Sequence, residues 1–188
     1  MIEYFLLILI AFSLPIPIWL IIFHIIALKY SNKLKKITYF SLGILWIISA
    51  VGVYKFKEII LPTKFNTNLY LQALGFVFLI IAIIIDMKVV KVLGYLKLTC
   101  VAELRNQNKG VLVTEGIYRY ARHPRYVEYL IIDLAIALLS GYYFFLYYAG
   151  YIFIGFYVAS LIEEKELIKR FGKEYLDYMN KVPRFFII

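Results

Sequence analysis

The stretch "LYLQALGFVFLIIAIIIDMKVVKVL", residues 69–93, is apolar along almost its whole length. A helix needs about 20 such residues to cross the hydrocarbon core of a bilayer. The first charged residues, Asp86 and Lys88, come near the end of the run. The stretch therefore predicts a membrane-spanning helix and indicates that the chain is an integral membrane protein.

The composition of the 188-residue chain agrees with this class. The sequence is 63% hydrophobic and 18% charged, with a mean hydropathy of +0.80, whereas soluble domains are about 45–50% apolar and about 25% charged. The single cysteine, Cys100, excludes an intramolecular disulfide and a cysteine-based metal site. We predict an all-α, polytopic membrane protein that forms one domain over residues 1–188.

Further apolar runs lie on both sides of residues 69–93, at residues 2–28, 37–53 and 124–161. The first run contains Pro15 and Pro17, which predict a kink, and it lacks the cleavage site of a signal peptide. The last run is too long for one span, and "LLSGYY" at its centre predicts a hairpin turn. The chain thus has about five predicted spans, three in residues 1–93 and two in residues 94–188.

The basic residues predict how these spans are oriented. The turn 29–36, the segment 91–126 and the tail from residue 165 together hold 17 lysines and arginines, whereas the loop 54–68 holds three. By the positive-inside rule the N-terminus is outside, and the long segment and the C-terminus are cytoplasmic, at the plasma membrane if the source is a prokaryote. Contact with anionic membrane lipids accounts for the net charge of +9 without nucleic acid as a partner.

The segment "GIYRYARHPRYVEYL", residues 116–130, combines basic and aromatic residues with a helix start. Pro124 suits the first helical position and places His123 at the cap. The backbone N–H groups of such a helix start attract a carboxylate or phosphate, and Arg122 and Arg125 strengthen the attraction. An alternative interpretation, an aromatic and basic membrane anchor, accounts for the tyrosines and arginines but not for the His-Pro pair.

Four acidic residues lie within or beside the last two predicted spans. Glu128 and Asp133 enter a membrane segment, where such residues usually face a cavity or a partner. Glu163 and Glu164 stand where the last span meets the cytosol, and they can receive an ammonium group. A carboxylate-binding helix start and an ammonium-binding glutamate pair together suit a zwitterionic amino-acid moiety.

Smaller polar features have simpler interpretations. His24 is predicted to pack between helices, and Asp86 and Lys88 to form a local pair. The i, i+4 spacing of Glu166 and Arg170 predicts a solvated helix face.

The blocks "LVTEGIYRYARHPRYVEYL" and "EEKELIKRFGKEYLDYMNKVPRF" together resemble the isoprenylcysteine carboxyl methyltransferase and phospholipid methyltransferase superfamily of membrane enzymes. Both blocks match in order, type and spacing, over roughly the C-terminal half of the chain. The resemblance implies S-adenosylmethionine-dependent methyl transfer to a lipophilic or lipid-like acceptor that enters from the membrane. It also implies that residues 94–188 are the cofactor-binding catalytic half, with a cytoplasmic pocket formed by the segment 94–126 and the helical tail. The implied cofactor-binding residues are Glu103, Val111, Leu112, Val113, Tyr118, His123, Pro124, Arg125, Tyr126 and Glu163.

The resemblance leaves the acceptor open. A carboxylate acceptor needs no base, whereas an amine or thiol must lose a proton, for which Glu128, Asp133 and His123 are the candidate catalytic residues. Carboxyl-methylating relatives often carry an arginine at the position of Ala159. The carboxylate of a prenylated cysteine is the first candidate acceptor that the resemblance implies. The missing arginine weakens this candidate and strengthens the alternative, a phospholipid amine or a small thiol. No metal is implied, and the sequence does not predict the oligomeric state.

A small membrane transporter or a non-enzymatic scaffold is the alternative from another class. Asp86, Asp133 and His24 are compatible with a polar path through the membrane. Many transporters contain internal repeats, and the sequence shows none.

Overall fold

The computed structural model describes residues 2–29, 32–94 and 111–186. Within these ranges the chain is helical and has no strand, apart from an isolated bridge between Lys64 and Tyr142. A short 3₁₀ turn at Gly116–Arg119 precedes the second half of the helices. The helices are α1 (Ile2–Ser13), α2 (Ile16–Lys29), α3 (Asn32–Lys55), α4 (Lys57–Ile60), α5 (Leu69–Leu93), α6 (Pro124–Ser140), α7 (Tyr143–Phe171) and α8 (Lys173–Met179). The all-α prediction is confirmed.

Three segments are long and apolar enough to cross a bilayer: Ile2–Ile26, Leu69–Leu93 and Tyr143–Phe171. The apolar part of α3, Phe40–Lys55, is shorter, and α6 has 17 residues. Large apolar side chains on the outer faces are exposed, as they are in proteins whose solvent is lipid. The protein is therefore a polytopic membrane protein, and the count of five spans stays a prediction.

Helix breaks occur where proline and glycine predict them. The first span divides at Leu14 and Pro15, and α2 then carries Pro17 in its first turn, where the missing N–H costs little. Gly141, with φ 75°, ends α6 at the predicted hairpin. Gly172, with φ 62°, separates α7 from α8. The predicted kink and the predicted hairpin are confirmed.

The helices pack in the order α5, α6, α7, α2, α3, with α1 also against α3. The main core lies where α1, α6 and α7 meet, and it includes Ile10, Ala137, Phe145 and Ile152. Gly75 allows α5 to approach α6 closely, because a Cβ there would lie 2.9 Å from Leu139 Cγ. The antiparallel packing of α6 and α7 places the start of α6 beside the end of α7.

Candidate functional site

The two sequence blocks meet where α6 begins and α7 ends. The C-terminal segment joins them through two backbone hydrogen bonds: the Arg122 N–H donates to Pro183 O at 2.9 Å, and the His123 N–H donates to Arg184 O at 3.0 Å. Pro124 is the first residue of α6, and His123 is its N-cap, as the sequence predicts. Residues about 40 to 60 positions apart thus form one buried polar cluster.

Glu164 is held by three side chains. The Arg122 Nε donates to Oε1 at 3.0 Å, and the Arg184 Nη2 donates to Oε2 at 2.6 Å. The His123 Nε2 lies 3.2 Å from Oε1. The Glu164 side chain is 4% exposed. These partners occupy both oxygens of its carboxylate. Glu164 therefore holds Arg122, His123 and Arg184 together and is not available to a ligand.

Glu163, the neighbouring acid, remains accessible. The Tyr126 hydroxyl donates to Oε2 at 2.7 Å, and the His123 Nδ1 lies 3.3 Å from the same oxygen. The Glu163 side chain is 25% exposed, and the adjacent Glu164 is not. Glu163 is therefore the acid of this pair that a ligand can reach.

His123 lies between the two carboxylates and is buried. Burial lowers the pKa of His123, but the carboxylates of Glu163 and Glu164 outweigh it, and the pKa is raised above its ordinary value of 6.5. The ring stacks on Tyr126 with centroids 5.2 Å apart, and Tyr126 stacks on Phe156 of α7 at 4.6 Å. The surroundings favour an imidazolium that donates to both acids.

His24 reaches the same cluster from α2. Its Nδ1 lies 2.7 Å from Glu166 Oε2, and its Nε2 lies 3.9 Å from Glu163 Oε2. The interhelical position predicted for His24 is confirmed, but its carboxylate partners were not foreseen. The predicted solvated face is wrong for Glu166, which is 7% exposed because α2 packs over this part of α7.

Arg125 and Glu128 point to the other side of α6. The Arg125 Nη1 lies 3.9 Å from Asp86 Oδ1 on α5, and Glu128 is buried against α5. The sequence predicted a local pair of Asp86 with Lys88; the structure shows Asp86 facing Arg125. Of the two arginines expected to attract a ligand carboxylate, Arg122 is bound to Glu164 and Arg125 faces α5.

The three candidate catalytic residues are in separate places. His123 is in the cluster and Glu128 faces α5. Asp133 follows His123 by ten residues, which is about 15 Å along α6 at the helical rise per residue. Asp133 is buried, and it therefore lies deeper in the bundle than the cluster at the start of α6. Their catalytic roles stay predictions.

The segment implied for the adenosine end lies next to α8. The carbonyl of Tyr118 accepts a hydrogen bond from the Tyr178 hydroxyl at 2.6 Å. Burial raises the pKa of Tyr178 to about 12, despite Arg122, which lowers it; the hydroxyl therefore keeps its proton. Leu112 packs on the cluster that contains Tyr178.

The remaining residues predicted to bind the cofactor make fewer contacts or lie outside the described ranges. Val111 is exposed and Val113 is half-buried. Glu103 lies outside the described residues, as does Cys100.

Sequence reasoning missed the groups that hold the site together. Glu164 was grouped with Glu163, although the two acids have different roles. Arg184 was visible in the "VPRF" motif, but its pairing with Glu164 was not. His24 carried no signal beyond being a histidine in a span.

Comparisons with known proteins gave one family and one relative that match parts of this chain. The family described as "Phospholipid methyltransferase" matches residues 70–174, more than half of the chain and a region that includes both α6 and α7. The "Protein-S-isoprenylcysteine O-methyltransferase" of Schizosaccharomyces pombe is 37% identical over 84 residues. That match covers 44% of this chain and 35% of the relative, so the chain matches about a third of the relative's length. No solved structure matches significantly. The chain belongs to the phospholipid methyltransferase family.

Proposed function

We propose that this protein transfers a methyl group from S-adenosylmethionine to a lipophilic acceptor at the membrane. The observation that carries the proposal is the cluster in which His123 and Tyr126 meet Glu163 and Glu164. The family and the name of the yeast relative support the reaction class. The name of that relative also suggests the methyl acceptor, and we include isoprenylcysteine in the proposal as a candidate.

The residues of the cluster fit a ligand that carries an amino-acid end. Glu163 offers a partly exposed carboxylate for an ammonium group, and Tyr126 holds that carboxylate in place at 2.7 Å. The Tyr126 ring stacks on both His123 and Phe156, which fixes the position of its hydroxyl. The backbone of residues 111–113 with Tyr118 would hold the adenosine end, beside α8. S-Adenosylmethionine supplies an activated methyl group on a cationic sulfur.

Within the cluster, the residues have different tasks. Glu163 binds the ammonium group of the ligand. Glu164 draws Arg122, Arg184 and His123 together and fixes the meeting of the blocks. His123 donates to both acids, so its first task is to orient Glu163. An acceptor that must lose a proton needs a base, and Glu128, Asp133 and His123 remain the candidates, His123 only once its ring has given up one of its two protons.

The proposed topology places this cluster at the cytoplasmic face. In this topology there are five passes, made by α1 with α2, by α3, by α5, by α6 and by α7. An odd number of passes puts the two ends of the chain on opposite sides, with the N-terminus outside and the C-terminus inside. The basic residues support this orientation, since 17 of them lie on the cluster's side and three on the other. The whole of residues 1–188 acts as one domain, because α2 contributes His24 to the site.

The acceptor has two candidate classes. The yeast relative's name points to the carboxylate of a prenylated cysteine. A phospholipid amine or a small thiol is favoured by Ala159, which is fully buried on α7. At that position this chain has no arginine to bind an acceptor carboxylate.

The reaction is tested with membranes that contain the protein and S-adenosylmethionine labelled on its methyl group. The acceptors are a prenylated cysteine, an aminophospholipid and an alkyl thiol. Transfer to lipid-soluble product, reduced strongly in Glu163→Gln and retained in Glu174→Gln, is the expected result; Glu174 is an exposed acid of α8. Release of label by base identifies a methyl ester. Absence of transfer to all three acceptors, together with solute flux through liposomes that does not need the cofactor, would support a transporter and contradict the proposal.

A further inference from the structure

A buried hydroxyl without a partner lies on the α8 side of the cluster. Tyr175 of α8 is 1% exposed. Its hydroxyl makes no hydrogen bond in the part of the chain that the structure describes. A buried polar group that forms no hydrogen bond lowers stability, and such groups are rare in native proteins. The Tyr175 hydroxyl therefore lacks an acceptor, and a bound ligand is one source of it.

Contacts on two sides hold Tyr175 next to the cluster. Arg122 of the cluster donates from Nη1 to the carbonyl oxygen of Met179 at 3.0 Å, and Met179 follows Tyr175 by about one helical turn. The Tyr178 ring meets the Tyr175 ring edge-on, with centroids 5.9 Å apart. The Tyr178 hydroxyl in turn donates to the carbonyl oxygen of Tyr118. Tyr175 is thus enclosed between the cluster and the segment implied for the adenosine end.

The Tyr175 hydroxyl is a hydrogen-bond donor near the two acids of the cluster. Burial raises the pKa of Tyr175, and the carboxylates of Glu164 and Glu163 raise it further, so the hydroxyl keeps its proton. Both carboxylate oxygens of Glu164 already accept hydrogen bonds, from two arginines and from His123. Glu163 accepts from the Tyr126 hydroxyl. Among the described groups of the cluster, no acceptor is left for Tyr175 once Glu163 also holds an ammonium group.

The ligand group that matches this donor is a carboxylate. In an α-amino acid the ammonium and the carboxylate are attached to the same carbon, so a ligand held at Glu163 carries its carboxylate close to that acid. The two arginines expected to receive this carboxylate have other contacts, since Arg122 binds the buried acid of the pair and Arg125 faces α5. Three cationic groups, those of His123, Arg122 and Arg184, surround the two glutamates and favour the approach of an anion.

We propose that the Tyr175 hydroxyl donates a hydrogen bond to the carboxylate at the amino-acid end of S-adenosylmethionine, while Glu163 holds the ammonium group. This assignment rests on the proposed function, which supplies the ligand. Tyr175 contributes affinity for the cofactor and does not contact the methyl group that is transferred. In the unliganded protein the hydroxyl has no acceptor, and binding of the cofactor provides one.

Calorimetric titration of the detergent-purified protein with two ligands tests the proposal. The ligands are S-adenosylhomocysteine and its decarboxylated analogue, which keeps the amine and lacks the carboxylate. Tyr175→Phe removes only the hydroxyl, and it should bind S-adenosylhomocysteine roughly 10- to 150-fold more weakly than the wild type, as expected when a hydrogen bond to a charged group is lost. The same variant should bind the decarboxylated analogue as the wild type does. Tyr147→Phe, at an exposed tyrosine of α7, should match the wild type with both ligands.

Thermal unfolding without ligand separates a binding role of Tyr175 from a structural role. Tyr175→Phe removes a buried polar atom that has no partner, so the unliganded variant should melt no lower than the wild type. A lower melting temperature would show that the hydroxyl already has an acceptor within the protein, and it would overturn the proposal.

The titrations also distinguish the failure of this assignment from the failure of the proposed function. Two results would overturn the assignment and leave the proposed cofactor in place: wild-type affinity of Tyr175→Phe for S-adenosylhomocysteine, or an equal loss of affinity for both ligands. No binding of S-adenosylhomocysteine by the folded wild type would refute the proposed function, and the role of Tyr175 with it.

Discussion

Replacement of Glu164 by glutamine should destabilise the protein strongly, because Glu164 is buried and holds Arg122, His123 and Arg184. The variant keeps the shape of the side chain but removes its charge, which leaves the 8%-exposed Arg122 without its anionic partner. Removing one partner of a buried ion pair costs about 3–5 kcal/mol. In a chain of this size that loss corresponds to a fall in melting temperature of roughly 6–20 °C.

The assay is thermal unfolding of the detergent-purified protein at neutral pH. Glu174→Gln is the matched control, since it makes the same chemical change at an exposed position of α8. Glu164→Gln should melt well below both the wild type and this control. Equal melting of Glu164→Gln and Glu174→Gln would refute the reasoning, because it would mean that the three contacts contribute nothing to the fold.

Three further predictions concern separate parts of the molecule. His24→Leu should cost about 1–3 kcal/mol, because the variant removes the buried contact at 2.7 Å between the His24 ring and the Glu166 carboxylate. Calorimetry should also show weaker binding of S-adenosylhomocysteine at unchanged stoichiometry, and wild-type affinity would separate His24 from the site. The carboxylates around His123 raise its pKa in the folded state. The stability that its protonated ring contributes is therefore fully present below the unfolded-state pKa of about 6.5, and it is lost as pH rises through the folded-state pKa. Melting temperatures of the wild type should fall in this way above pH 6.5, and an identical pH profile in His123→Gln would contradict the assignment. Gly141→Ala should lower the free energy of unfolding by about 1–2 kcal/mol, because Gly141 has a φ of 75° and the new Cβ would lie 2.9 Å from the carbonyl oxygen of Phe65. Thermal unfolding measures this loss, and an unchanged melting temperature would show that the hairpin has another conformation.

Helix ends were predictable from the sequence because their causes are local. Proline lacks an N–H and restricts the residue before it, so Pro15 and Pro124 mark a break and a start. Glycine adopts positive φ at little cost, so Gly141 and Gly172 mark ends. Hydropathy gave the apolar segments for the same reason, since crossing a bilayer depends on the length and composition of one segment.

The partners of the buried charges were not predictable because they depend on which helices are neighbours. His24 meets Glu166 because α2 packs on α7, and that contact needs Gly155, where a Cβ would lie 2.6 Å from Pro17 Cβ. A single sequence shows Gly155 as one small residue among many. The solvated face assigned to Glu166 failed for this reason: the i, i+4 spacing describes one helix and contains nothing about the helix beside it.

The different roles of the two acids in the "EE" pair were also not predictable from the sequence. Sequence reasoning treated Glu163 and Glu164 alike, since they are adjacent at the end of a span. In the structure they point about 100° apart around α7. One is enclosed by two arginines and a histidine, while the other remains partly exposed.

The central claim is that Glu163 binds the amino group of a cofactor in the cluster beside His123, and calorimetric titration with S-adenosylhomocysteine tests it most directly. The titration compares wild type, Glu163→Gln and Glu174→Gln in detergent, with thermal unfolding to confirm that each is folded. Loss of a charged hydrogen bond costs on the order of 1.5–3 kcal/mol, so Glu163→Gln should bind roughly 10- to 150-fold more weakly, and Glu174→Gln should bind like the wild type. Equal affinity in all three folded proteins, or no binding by the wild type, would contradict the account.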